Sequence, residues 1–216
     1  ELKRELLVTM AGSNRGFTAT REQRQAIIDL VGQLEARNPS PAPNSDCEKL
    51  CGTWRLMFTT ALDVLSLGAL PLVQAGQIFQ NIRETDSPEA ELEVDNVVEL
   101  QPATDAILAA VGASSTLELI VKARGKIVGD DRVDIAFERS NFQPKTLFGA
   151  DMASFPPLSI PLNARQRAEA AGQAMSAGFI TTSFLDQDMR IARGGAANVD
   201  LPSDFTSNIF VLWRDD

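Results

Sequence analysis

Apolar positions recur at helical spacing in the first forty residues of this chain and alternate with polar ones through most of the remainder. Leu2, Leu6, Leu7 and Met10 form a short helical stripe that stops at the breaker in residues 11–16. Thr20 and Gln23 then make a capping-box pair, and Ile27, Leu30, Val31 and Leu34 recur on one face of a second helix. That helix ends near Arg37, because the proline-rich residues 38–43 cannot continue it. From residue 52 onward the period changes to two. Trp54, Leu56 and Phe58 alternate with polar neighbours in a first strand. Residues 77–83 and 91–100 predict the next two strands, with a polar turn between them. Leu117, Leu119 and Val121 alternate in a fourth, and after the turn at 129–131 Val133, Ile135 and Phe137 alternate in a fifth. Residues 142–148 predict a further short strand, and the prolines of 155–162 bar that segment from a central position. A polar, alanine-rich helix is predicted over 165–176, a charged hairpin over 179–194, and a last strand, apolar on both faces, over 207–214.

About eight short strands with few helices between them predict a mainly β protein, an antiparallel barrel or a strongly curved sheet. Residues 1–46 read as a helical segment and linker packing on a barrel of residues 47–216, the whole being one structural domain. The apolar connections at 61–75, 102–115 and 149–162 read as buried segments or as apolar lips.

Composition narrows the function. The chain has 216 residues, 44% hydrophobic and 23% charged, and no apolar run long enough for a membrane span. A net charge of −9 argues against nucleic acid and against simple electrostatic docking to an anionic bilayer. Histidine and tyrosine are absent, which removes the commonest general base and the Ser-His-Asp and Cys-His arrangements. No enzyme chemistry is expected. The chain begins at Glu1 without a basic targeting segment, which reads as a processed or trimmed form.

Four features have the residue types for a site. Cys47 and Cys51, with three residues between them, read as ordinary thiols or as a disulfide; no further ligands suggest a metal. Asp186 and Asp188 can hold a tight turn by accepting hydrogen bonds from amides two residues on. They stand beside Arg190 and Arg193, which suits an ion-pair network better than catalysis or calcium, since the glycine and distal glutamate of a calcium loop are missing. Leu56, Phe58, Phe79, Leu119, Val121, Ile135, Phe137, Phe184 and Val211 are the candidates for a barrel interior, where each is equally placed to be core or ligand contact.

Several fragments stand in order along the chain: Asn14-Arg-Gly16, Leu34-Glu-Ala-Arg-Asn-Pro39, Gly52-Thr-Trp-Arg-Leu-Met-Phe-Thr-Thr60, Gly76-Gln-Ile-Phe-Gln-Asn-Ile82, Phe184-Leu-Asp-Gln-Asp-Met-Arg-Ile-Ala-Arg-Gly194 and Asn208-Ile-Phe-Val-Leu212. Together they resemble the plastid lipid-associated proteins, also called fibrillins or plastoglobulins, over nearly the whole length. The resemblance implies a lipocalin-like barrel at thylakoid or plastoglobule surfaces of a plastid, peripheral to the membrane. It implies association with an apolar lipid such as a carotenoid, a prenylquinone or an acyl lipid, with no required cofactor. It also implies that Trp54 closes the barrel floor beneath an arginine, for which Arg190 or Arg193 is the expected source. The sequence departs from the family in Phe184, where a tyrosine is usual, in the cysteine pair, and in a longer segment at 195–207. That longer segment suits a second expectation, a non-enzymatic adaptor bound to a photosynthetic membrane protein complex.

Overall fold

The computed structural model describes residues 1–61, 64, 73–86, 91–102, 114–152, 154–161, 178–195 and 207–215. The segments expected as a late helix (165–176), and most of those expected as apolar lips and as the 195–207 insertion, lie outside the described residues.

Two N-terminal helices, α1 (Leu2–Met10) and α2 (Arg21–Glu35), are separated by a 3-10 turn at Asn14–Gly16. The Thr20 hydroxyl caps α2 by accepting from the Gln23 amide at 3.1 Å. A short third helix, α3 (Cys47–Leu50), was not expected; its N-cap Asp46 accepts from the Lys49 amide. The strands follow: β1 (Gly52–Thr59), β2 (Val73–Glu84), β3 (Leu92–Pro102), β4 (Thr116–Ile127), β5 (Arg132–Leu147), β6 (Ala150–Asp151), β7 (Leu158–Pro161), β8 (Gly178–Leu185), β9 (Met189–Gly195) and β10 (Asn208–Arg214).

Antiparallel pairing runs β4-β3-β2-β1-β10-β9-β8-β5, and β4 pairs with β5 to close the ring. The result is a closed eight-stranded barrel. The strands expected at 133–137 and 142–148 are one strand, β5, which shifts register between Phe137 and Arg139. Its first half pairs with β8 in the barrel wall; its second half carries β6 and β7, which adds at the side as suits a strand containing Pro161.

Two cores result. One lines the inside of the barrel, around Trp54, Leu56, Ile82, Val94, Ile135 and Leu212. The other lies outside the barrel wall, where Leu6, Met10, Ile27, Leu30, Val31 and Leu34 of the helices meet Phe58, Phe184, Met189, Ile191, Ile209 and Val211. Burying each such side chain contributes on the order of 1.5–3 kcal/mol. Three interior expectations are corrected here: Phe58, Phe184 and Val211 face the helices. A bulge between Leu56 and Phe58, and another between Thr182 and Phe184, reverses the inward–outward alternation of β1 and β8. Val211 lies between the inward Phe210 and Leu212 in a strand apolar on both faces, where polarity gives no sign of which face is which.

The Asn14–Gly16 turn is fitted against the end of β1. Gly16 has φ +102°, and a Cβ there would lie 2.6 Å from the Thr59 carbonyl oxygen. Arg15 donates from Nη2 to the carbonyl of Ala75 at 2.9 Å, tying the same turn to β2.

Candidate functional site

The barrel floor is built around Trp54. Its ring is fully buried, and Nε1 donates to the Leu50 carbonyl at 2.9 Å. The cation over it is Arg214, with the guanidinium carbon 4.4 Å from the ring centroid. This corrects the expectation that Arg190 or Arg193 would take that place. Arg214 is the last residue of β10 and faces Trp54 in register. From there it also donates to the carbonyls of Cys51 (3.1 Å), Gln187 (2.8 Å) and Lys49. Cys47 and Cys51 form a disulfide that closes the α3 turn carrying the Lys49 and Cys51 acceptors.

The hairpin at 186–188 is pinned as its aspartates suggest, but by a different cation. Asp186 Oδ1 accepts from the amides of Asp188 (2.9 Å) and Met189 (2.8 Å), and Oδ2 accepts from Lys3 Nζ at 2.8 Å. Lys3 also reaches Asp188 at 3.1 Å. Burial pushes the Asp186 carboxyl up, and the bonds from Lys3 and the two amides outweigh it, leaving the group below its ordinary value. Arg193 meets no hairpin aspartate; Nε and Nη2 both lie 2.7 Å from the Glu35 carboxylate of α2. Among the described residues no cluster of three or more cysteine, aspartate or glutamate side chains is placed to hold a metal ion.

Above the floor lies a cavity of about 450 Å³. Leu56, Phe79, Leu119, Val121, Ile135 and Phe137 line it, together with Ile78, Val94, Val98 and Phe210. The wall is apolar but for Ser140 and one group of hydrogen-bonded side chains. Arg190 donates from Nη1 to Gln80 Oε1 at 2.6 Å and from Nε to Thr182 Oγ1 at 3.3 Å, and Gln80 Nε2 donates to Asn96 Oδ1 at 2.9 Å. Arg190 is only 3% exposed, and its burial lowers the guanidinium to about 10, which still leaves it cationic at neutral pH. Arg190 and Gln80 also border a small void beside Leu50, Ile82 and Leu92, so they sit at the floor side of the cavity.

Apolar bulk alone does not mark Gln80 and Asn96 as cavity residues. The signal was present: Gln80 stands in phase with Ile78 and Ile82, and Asn96 with Val94 and Val98. Arg190 stands in phase with Ala192, immediately after the hairpin turn. Polar residues at inward-facing positions of small barrels are exceptions that call for a partner.

With this geometry in view, the kinship of the chain follows from sequence. The family model PAP_fibrillin matches residues 1–200. The chain belongs to this family. It is 30% identical to the probable plastid-lipid-associated protein 3, chloroplastic, of Oryza sativa subsp. japonica, over 90% of this chain and 56% of the rice protein. It is 29% identical to plastoglobulin-1, chloroplastic, of Pisum sativum, over 89% of this chain and 58% of that protein. It is also 29% identical to the chromoplast-specific carotenoid-associated protein of Cucumis sativus, over 92% and 66%. The chain thus spans between 56% and 66% of the length of these relatives. No solved structure matches it. By name these three relatives are chloroplastic or chromoplastic proteins, the rice protein lipid-associated and the cucumber protein carotenoid-associated, and none of the names denotes an enzyme.

Proposed function

We propose that this protein binds one apolar lipid inside its barrel and works, without catalysis, at the lipid surfaces of a plastid, thylakoid or plastoglobule. The observation that carries the reading is the cavity: about 450 Å³, enclosed by a complete ring of strands and walled mainly by aliphatic and aromatic side chains. Cavities of roughly 300–1,000 Å³ with such walls are where small apolar ligands bind, and burial of the ligand's apolar surface supplies the driving force. The names of the relatives point to the same class of molecule.

The surface suits exchange with a lipid phase. Phe148 (67%), just past the far end of β5, and Phe155 (54%) and Leu158 (67%), in the segment that pairs along the second half of β5, are exposed. Exposed apolar side chains along one segment mark a surface that meets an apolar partner. A peripheral contact through them is compatible with the acidic net charge, since it needs no attraction to lipid phosphates.

The reading is tested by incubating purified, delipidated protein with a plastid lipid extract, re-isolating it, and extracting what it retains for mass spectrometry. About one apolar lipid per chain is expected. Retention no greater than that of a lipid-free control protein of similar charge would count against it.

A further inference from the structure

Arg190 poses a physical problem that the barrel alone does not solve. It is a cation buried in a closed barrel, and its two protein acceptors, the Gln80 amide oxygen and the Thr182 hydroxyl, are both neutral. Among the described residues it forms no ion pair with a carboxylate. Arg193, in the same strand, is by contrast paired with the Glu35 carboxylate. Removing a charge from water without a counter-charge is strongly unfavourable, and a buried guanidinium is ordinarily paired. Arg190 spends two of its five N–H groups on Thr182 and Gln80, which leaves Nη2 with no protein acceptor among the described residues. The guanidinium lines the main cavity.

Resting on the lipid-binding reading, and deepening it, we infer that Arg190 is a headgroup site and that the cavity takes a single-chain lipid with a terminal carboxylate, a free fatty acid. The carboxylate lies at the floor side against Arg190, and the acyl chain runs past Leu119, Val121 and Ile135 towards the opposite end. Gln80 serves as a positioning residue: its oxygen fixes one edge of the guanidinium, while Asn96 fixes the Gln80 amide. A planar guanidinium meets a carboxylate through two parallel hydrogen bonds, which gives both charge neutralisation and orientation. A neutral carbonyl or hydroxyl headgroup would accept a hydrogen bond but leave the buried charge uncompensated. That difference selects the acid over a quinone, a carotenoid or an alcohol.

The test is calorimetric titration of the delipidated full chain with oleate and with oleyl alcohol, which share a tail and differ in charge. Oleate is expected to bind on the order of tenfold to a hundredfold more tightly, the range for a charge-assisted hydrogen bond over a neutral one. In Arg190→Met, which keeps an unbranched stem but neither the charge nor the guanidinium, oleate affinity falls to within about twofold of the alcohol, while alcohol affinity stays near that of the wild type. Equal affinity of the wild type for acid and alcohol would overturn the headgroup assignment and leave lipid binding standing. Binding of neither oleate nor oleyl alcohol would overturn both. If Arg190→Met does not fold, the wild-type comparison decides alone, and Gln80→Leu replaces it as the second arm: discrimination that falls severalfold supports the assignment, and unchanged discrimination counts against it.

Discussion

At the scale of single residues, several charges among the described residues hold the barrel together. Lys3, Asp186 and Asp188 close the hairpin onto α1; Glu35 and Arg193 tie α2 to β9; Arg214 caps the floor. The hairpin contact has a pH signature. The folded-state value of Asp186 is depressed, so its stabilisation is complete above the unfolded carboxylate value of about 3.9 and is lost as pH falls through the folded value. Asp186→Asn is therefore expected to cost roughly 1–3 kcal/mol at pH 7, and the gap from the wild type should narrow in urea unfolding as pH falls below about 4. A gap independent of pH would remove the carboxylate from the explanation. The turn itself was legible, because Asp-x-Asp between apolar strands has a local hydrogen-bonding logic. Which cations reach it was not, since Lys3 lies 183 residues away in sequence and only tertiary packing brings it there. The same distance hid Arg214, whose place over Trp54 depends on the β1–β10 register.

At the scale of elements, the strands and helices were mostly readable from period, and the faces were not. Leu56, Leu119, Val121 and Ile135 followed simple alternation into the cavity. Phe58 and Phe184 did not, because bulges in β1 and β8 turn them outward into the platform on which α1 and α2 pack. A bulge adds a residue without changing composition, so hydropathy alone does not reveal it. The α3 turn gives an independent check on how the floor is held. Its disulfide spans a sequence separation of only 4, and a loop that short restrains the unfolded chain by about 2 kcal/mol. The turn supplies acceptors to both Trp54 and Arg214. Reduction is expected to lower the urea midpoint accordingly, and the double variant Cys47→Ser/Cys51→Ser should have the lower midpoint with or without reductant. An unchanged midpoint on verified reduction would show that the carbonyl positions do not depend on the bond.

At the scale of the whole molecule, two cores share one wall. The helices cover the outer face of β1, β8, β9 and β10, and the inner face of the ring surrounds the cavity. Packing on the outside therefore stabilises the barrel without requiring its interior to be filled by side chains. That division is what allows a ring of eight strands to keep a volume of about 450 Å³. The central claim is that lipid resides in this volume and not on the exposed Phe148, Phe155 and Leu158 surface. It is tested most directly by the affinity of oleyl alcohol, a probe with no charge for Arg190 to pair with, for Leu119→Trp, in which a bulky ring projects into the cavity. Affinity should fall about tenfold or more while the melting temperature stays within a few degrees of the wild type. Undiminished binding by the folded variant would place the lipid on the outer surface and contradict the claim.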